Sequence, residues 1–177
     1  FLVFRRRNCD CSAFVLKRSA SVLGMVIEGF EVKDFKNPAC CTGGIGSGIL
    51  AWNANTSKIK INDNYFHNLG WNGILAGSDD GSIQKEWIIR RNIIENSDYA
   101  GIELTNLDNS LIENNGVKIG SGIAWDPDDS GVGIEIAVRD HGTSVTTGKN
   151  IVRNNTITND SNTGTSAINF CSLLYSL

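Results

Sequence analysis

The densest group of ionisable side chains lies in two short segments, WDPDDSG from Trp125 and VRDHGTS from Val138. Asp126, Asp128 and Ser130 alternate with other residues before a glycine, as at the start of a calcium-binding loop whose alternate residues supply oxygen ligands. The acidic ligand that closes such a loop is missing, because alanine stands at its twelfth position. The pattern predicts calcium at Asp126, Asp128 and Ser130, with an acidic loop that binds no metal as the alternative.

A repeat determines which elements carry these segments. Its copies align on their last apolar residue, and Asp or Asn follows two positions later. The copies are VIEGFEVKD from Val26, KINDNYFHN from Lys60, IIRRNIIEN from Ile88 and NIVRNNTITN from Asn150, with a weaker copy, LIENNGVKI, from Leu111.

A second series of short apolar strands follows the first. Alternation along GIEL predicts that Ile102 and Leu104 point inward and Glu103 outward, and Glu135 has the same parity. The members of this series are GILA from Gly48, GILA from Gly73, GIEL from Gly101, either GIAW from Gly122 or GIEI from Gly133, and AINF from Ala167. We expect the glycines to allow a sharp entry into each strand.

Short strands that recur every 20 to 30 residues, each unable to bury its apolar face alone, are typical of a solenoid. Asparagine tolerates left-handed backbone angles at a corner, and its amide can bond the equivalent amide one coil away. We expect such a ladder from Asn64, Asn92, Asn115 and Asn155. The sequence therefore predicts an all-β, single-domain right-handed parallel β-helix (solenoid) of about five to six coils.

The repeat also suggests how the chain is divided. Residues 1–25 match no copy and are predicted to form an N-terminal cap, in which Ser12 to Leu23 could supply a short helix. Residues 26–171 form the parallel β-helix, with an insertion around 120–148 where the copies are spaced too far apart for one coil. Residues 172–177 are the C-terminal tail.

The N-x-h-x-N and Gly-Ile signatures resemble those of the right-handed β-helix family that includes pectate-lyase-like polysaccharide lyases and alginate epimerases. The resemblance implies lyase or epimerase chemistry on the uronates of an anionic polysaccharide. Epimerases of this family carry a Gly-Ile-Asp-Pro-His-Asp motif. Here Asp126 follows Gly122-Ile123 two residues late, and Asp128 replaces the histidine.

Chemistry of this kind needs a cation to neutralise the uronate carboxylate, a base to remove the neighbouring proton and an acid to return it or assist the leaving group. His141 or Tyr99 could be base or acid, Asp126 could belong to the same catalytic group, and Arg139 could pair with the carboxylate. Lys149 and Arg153 are further candidates for that pairing. An exposed turn around His141 is the alternative.

Exposed aromatic rings beside the Gly-Ile strands could form a platform for sugar faces. Trp71 and Trp125 are the substrate-binding candidates of this type, and the outward-facing Glu103 and Glu135 are polar candidates. Packing beneath a loop is the alternative for each ring.

Composition excludes several other functions. The net charge of −3 with both signs dispersed gives no basis for binding nucleic acid. No apolar run is long enough to cross a membrane as a helix. Five cysteines leave at least one without an intramolecular disulfide partner.

Polysaccharide is the expected partner, at an extracellular or periplasmic location, and the oligomeric state stays open. The alternative function is a non-catalytic polysaccharide-binding or structural β-helix module of a larger surface protein. The small number of coils favours this alternative, because it gives a short surface for a long substrate.

Overall fold

The computed structural model describes residues 2–5, 12–16, 22–35, 46–78, 81–119, 131–140, 148–159 and 167–174, and in these ranges the regular elements are all β-strands. The strands are β1 (Leu2–Arg5), β2 (Phe14–Leu16), β3 (Val22–Leu23), β4 (Val26–Glu28), β5 (Phe30–Phe35), β6 (Ile49–Trp52), β7 (Thr56–Ser57), β8 (Lys60–Asn62), β9 (Tyr65–Leu69), β10 (Ile74–Gly77), β11 (Gln84–Lys85), β12 (Ile88–Arg90), β13 (Ile93–Ser97), β14 (Ala100–Thr105), β15 (Leu107–Asp108), β16 (Leu111–Glu113), β17 (Gly116–Ile119), β18 (Val132–Asp140), β19 (Ile151–Arg153), β20 (Thr156–Asn159) and β21 (Ile168–Leu174).

The strands form four sheets. In spatial order, sheet A is β1-β5-β9-β13-β17-β20, sheet B is β2-β6-β10-β14-β18-β21, sheet C is β15-β11-β7-β3 and sheet D is β19-β16-β12-β8-β4. Neighbouring strands run parallel, and from β2 to β17 the chain visits sheets B, C, D and A in turn, each time returning beside its own previous strand. After β18 the described strands pass from sheet B to β19 of sheet D and β20 of sheet A. This arrangement confirms an all-β fold of the parallel solenoid type.

The apolar residues on which the repeat was aligned form one file through sheet A. Val32, Phe66, Ile94, Val117 and Ile157 are successive register partners. The first four are at most 2% exposed and face inward with the apolar side chains of the other sheets. Stacking of like side chains on adjacent coils therefore builds the core, as the sequence predicted.

The predicted asparagine ladder joins the turns between sheets D and A. Nδ2 of Asn64 donates to Oδ1 of Asn92 at 2.9 Å, and Asn92 and Asn115 repeat the contact to Asn115 and Asn155 at 3.0 and 2.9 Å. The backbone N–H of each donating asparagine bonds the same oxygen. The three donating residues are buried, so a missing partner would leave several polar groups unsatisfied.

Left-handed backbone angles occur beside the ladder, which corrects our expectation for the ladder residues themselves. The residue before each ladder asparagine has φ between 53° and 55°: Asp63, Arg91, Asn114 and Asn154. A second left-handed file comprises Asp34, Asn68 and Asn96, with φ of 65°, 54° and 56°. Asparagine thus has two separate roles, one in the ladder and one at strained turn positions.

The Gly-Ile glycines lie where a side chain would clash with the neighbouring coil, and their backbone angles are ones that other residues also adopt. Gly48, Gly73, Gly101 and Gly133 are absent from the left-handed region. A Cβ at Gly73 would lie 2.6 Å from Cγ2 of Ile94 and 2.6 Å from the carbonyl oxygen of the next glycine in the file. The register also pairs Ile134 with Ile102, so GIEI from Gly133 continues this series.

Both ends of the described chain belong to the sheets. Strands β1, β2 and β3 of the 1–25 segment pair with β5, β6 and β7. The described parts of Ser12 to Leu23 hold strands and no helix, so the short helix is not found there. Strand β21 extends to Leu174, into the predicted tail. Most of the 120–148 insertion and Cys9, Cys11, Cys40 and Cys41 lie outside the described residues.

Replacing Asn92 by alanine should lower the free energy of unfolding by about 2–4 kcal/mol, because the amide's partners Asn64, Ile61 and Asn115 each lose a buried hydrogen bond. Urea unfolding measures the change. Thr158→Ala, on the exposed side of sheet A, is the control and should change it by under about 0.5 kcal/mol. Equal stability of the two variants would contradict a structural role for the ladder.

Gly101→Ala should destabilise the protein by about 1–3 kcal/mol, because the new Cβ would lie 2.4 Å from Cγ1 of Val117. Gly116→Ala is the matched control in the neighbouring sheet, since nothing lies within 4 Å of a Cβ built there. Thermal unfolding of both variants compares the two sites. If Gly101→Ala were as stable as Gly116→Ala, the core around Val117 would have to shift to accommodate the new methyl group, and the packing argument would be contradicted.

Candidate functional site

Two glutamates lie side by side on the outer face of sheet B. Ile102 and Leu104 are buried in the core, so Glu103 between them points away from it. Glu103 on β14 and Glu135 on β18 are register partners on adjacent coils, where parallel strands lie about 4.8 Å apart. The two side chains are nevertheless only 3% and 6% exposed. The solenoid thus holds two carboxyl groups close together outside its core and away from bulk water.

Asn72 completes this pair from the turn that enters β10. Its Nδ2 donates to Oε2 of Glu103 at 2.6 Å, and the residue is completely buried. Its backbone carbonyl accepts from the N–H of Gly48 at 3.0 Å, which ties the turn to the preceding coil. Among the described residues, Oδ1 of Asn72 has no hydrogen-bond partner. The side chain therefore orients the carboxylate of Glu103 through Nδ2, while its Oδ1 accepts no hydrogen bond from the described residues.

An aromatic stack stands next to Asn72. The rings of Trp71 and Tyr99 lie 4.8 Å apart between centroids and only 4° from parallel. The N–H of Tyr99 donates to the carbonyl of Trp71 at 3.1 Å, and the carbonyl of Tyr99 accepts from Gly131 and Val132. Both rings are half-buried. Backbone hydrogen bonds between coils thus hold this face-to-face stack at the corner where sheet A passes into sheet B.

Long connections also gather at this corner. Those from sheet A to sheet B include residues 6–13, 36–48, 120–131 and 160–167, whereas residues 98–99 suffice between β13 and β14. The predicted candidates Trp125, Asp126, Asp128 and Ser130 belong to one of these connections and lie outside the described residues. The chain therefore concentrates its variation in length beside the glutamate pair.

Four of the predicted site residues form two pairs, Trp71 with Tyr99 and Glu103 with Glu135. Asn72, which follows Trp71 in the chain, bonds Glu103 and is the link between the pairs. The structure places the predicted cations Arg153 and Lys149 elsewhere. Arg153 is on sheet D, where its Nε donates to Glu113 at 2.9 Å. Lys149 is exposed and follows Gly148, whose N–H bonds Asp108 of sheet C.

Two catalytic candidates cannot be compared with this group. The backbone of Arg139 lies on β18 in register with Leu173, but its side chain is outside the described part of the structure, as is the whole of His141. Their convergence with Tyr99 and Asp126 stays a prediction.

Sequence reasoning did not identify Asn72. A buried asparagine before a Gly-Ile pair is a weak signal in a chain with 20 asparagines. Serine stands at the equivalent position one coil earlier, at Ser47, and alanine one coil later, at Ala100. The file continues from Ala100 to Val132, so neither the size nor the polarity of its residues singles out Asn72.

A second polar cluster lies on the outer face of sheet A. Tyr65 and His67 stack with centroids 4.3 Å apart, and Oη of Tyr65 donates to Glu95 at 2.6 Å. This hydrogen bond and partial burial raise the pKa of Tyr65 to about 12. Hydrogen bonds from Lys33 and then His67 lower the pKa of Glu31. His67 is the register partner of Glu95, and the side chains of this cluster bond one another.

Within the described residues no group of three or more His, Cys, Asp or Glu side chains is arranged to hold a metal ion. A search of the same residues for a helix able to cross a membrane finds none. Comparisons with known proteins find no matching protein family, no similar curated protein and no similar solved structure.

Glu95→Gln should lower the pKa of Tyr65 from about 12 toward the ordinary value of about 10, because the phenolate would no longer face a carboxylate. Ultraviolet titration of the phenolate measures it. The folded pKa exceeds the unfolded one, so the stabilising contribution is complete below about pH 10 and is lost as the pH rises through about 12. An unchanged titration relative to the exposed control Glu86→Gln would contradict this assignment.

Proposed function

We propose that the outer face of sheet B binds a polysaccharide and acts on it, with Glu103 and Glu135 as paired acid and base. The observation that carries the proposal is the in-register position of these two buried carboxyl groups on β14 and β18. General acid–base chemistry needs one group that donates a proton and one that accepts it, and two carboxyl groups on adjacent coils are of the right type for the two roles.

The neighbouring groups suit a sugar. In the half-buried Trp71–Tyr99 stack each ring covers one face of the other, so a sugar would pack on an outer ring face or against the ring edges. Asn72 holds Glu103 in a fixed orientation through its 2.6 Å hydrogen bond, which favours a preorganised acid or base. Tyr99, in the turn that precedes β14, remains a proposed candidate for proton transfer.

Elimination or epimerisation of a uronate is the reaction that the family resemblance implies, and we keep it as the proposed class. It requires a cation for the uronate carboxylate. Arg139, on the same strand as Glu135, is the candidate for that role, and His141 and Asp126 remain proposed members of the catalytic group. Calcium at Asp126, Asp128 and Ser130 also remains a proposal and could serve by bridging carboxylates.

One observation favours a second function, a non-catalytic polysaccharide-binding or structural module. Glu103 and Glu135 are almost completely buried, and so is Leu75 on the same outer face. A substrate would need access to these groups, whereas a binding module would need only the half-exposed aromatic stack.

Finer features of the fold belong to the same proposal. We infer right-handed winding, because connections between parallel strands of one sheet are right-handed in nearly all proteins. We also propose five to six coils, which the six strands of sheets A and B and the five of sheet D support, although sheet C has four described strands. An extracellular or periplasmic location follows from a polysaccharide substrate.

Wild-type protein should convert at least one polymer among alginate, pectate and glycosaminoglycans, and Glu135→Gln should lower the rate about 100-fold or more by removing an acid–base group. Ultraviolet absorbance detects unsaturated uronate products, a reducing-end assay without such absorbance detects hydrolysis, and proton NMR detects epimerisation. Each polymer is assayed with calcium and with a chelator.

Glu86→Gln, on an exposed turn, is the matched control and should retain full activity. Binding of a polymer without turnover would support the non-catalytic module in place of the enzyme. Absence of both binding and turnover with all these polymers would overturn the proposal.

A further inference from the structure

One end of the column leaves core positions in contact with solvent. The last described strands of sheets D, A and B are β19, β20 and β21. The apolar residues with which these strands continue the files of the core are Val152, Ile157, Ile168 and Phe170. Val152 and Ile157 are half-buried, whereas Ile168 and Phe170 are 42% and 67% exposed. We call these four residues the open end.

A single file through sheet B shows that the two ends of the column differ. Its successive register partners are Leu16, Ala51, Ala76, Leu104, Ile136 and Phe170. The first five are at most 8% exposed, in contrast to the last. Sheet D agrees, because Ile27 on its first strand is 2% exposed and Val152 on its last strand is half-buried. The column is therefore covered at Leu16 and Ile27 and exposed at the open end.

The asparagine ladder also stops at the open end within the described residues. Each asparagine from Asn64 to Asn115 donates its Nδ2 to the Oδ1 of the next one. Asn155 accepts such a bond and donates back to the carbonyl of Ile112 at 3.0 Å, and no described coil follows it. The outer edges of β19, β20 and β21 are likewise the last in their sheets. Strand edges of this kind readily pair with another strand.

The composition of the open end indicates what covers it. This surface is a cross-section of the core, with apolar side chains inside and strand edges around them, and elsewhere in the column the next coil covers such a section. A second copy offers a matching surface through its own open end, because its other end is covered at Leu16 and Ile27. Contact between two equal surfaces closes after two copies, whereas head-to-tail contact would continue into a filament.

We propose that two copies of the protein associate through their open ends into a two-fold symmetric dimer, in which β21 pairs antiparallel with β21 of the second copy. Strand β21 offers the longest edge, and a two-fold axis reverses the direction of its partner. The strands β19, β20 and β21 comprise 3, 4 and 7 residues, fewer than the about 20–30 residues of a standard interface. We therefore expect a dissociation constant in the micromolar range.

This inference goes beyond the proposed function and does not rest on it. The dimer joins sheet B of both copies into one sheet across the contact. Glu135 lies on β18, one strand away from β21, so the two copies of β18 are three strand spacings apart, about 14 Å. One polysaccharide chain can then reach the glutamate pairs of both copies, which compensates for the short surface of a single column.

Sedimentation velocity between about 1 and 100 µM, a range that brackets micromolar affinity, measures the association. A reductant is present, so that cysteines form no disulfide-linked dimer. We expect wild-type protein to pass from monomer to dimer and no further. Phe170→Glu places a charge in the contact and should raise the dissociation constant at least about 10-fold. Leu23→Glu is the matched control, because Leu23 is 69% exposed on the first strand of sheet C, and it should associate like the wild type.

Hydrogen exchange on the wild-type protein supplies a second measurement that needs no variant. Backbone amides of β21 should exchange more slowly at the high protein concentration than at the low one, because the second copy accepts their hydrogen bonds. Amides of β4, on the first coil, should exchange equally at both concentrations. This measurement decides the question if Phe170→Glu does not fold.

Several results would overturn the dimer. These are a wild-type protein that stays monomeric at about 100 µM, exchange in β21 that is independent of concentration, and equal association of folded Phe170→Glu and Leu23→Glu. Polymers longer than two copies would overturn the two-fold arrangement. A monomer that binds or converts a polysaccharide would refute the dimer and leave the proposed function standing.

Discussion

In-register stacking of parallel strands is the constraint on which the whole structure depends. Because each coil lies about 4.8 Å above the last, a side chain must fit the equivalent residue of the next coil as well as its own neighbours. The file through Phe66, Ile94 and Val117 meets this condition with packing, and the ladder from Asn64 to Asn155 meets it with hydrogen bonds. Polar and apolar residues must therefore both fit the equivalent residue on the next coil.

The same rule explains why so much of the fold could be read from the sequence. Residues of one file are of similar type and therefore recur in each copy of the repeat. Aligning the copies thus predicts which residues are register partners. This worked for Val117 and for the outward Glu103 and Glu135. It was incomplete where one residue type has two uses: asparagine marks both the ladder and the left-handed turns, and only the backbone angles at Asp63 and Arg91 separated them.

The site was less predictable, because it depends on contacts that do not repeat. Asn72 lies in the turn before β10, and it bonds Glu103, which points outward from β14 on the next coil. No spacing in the chain indicates that these two residues pair. The register places Tyr65 and Glu95 on the same face of adjacent strands. It does not indicate that their side chains turn toward each other and form a hydrogen bond. For Asp126 and His141 the sequence indicates which reactions their side chains could support, but it does not indicate where they lie relative to the other site residues.

The passage from sheet A to sheet B accommodates connections as different as residues 98–99 and 36–48 while the strands on either side keep their pairing. Length is thus decoupled from register at one corner of the column. Segments can be exchanged there as independent modules, which makes this edge suitable for grafting new recognition loops onto an unchanged scaffold.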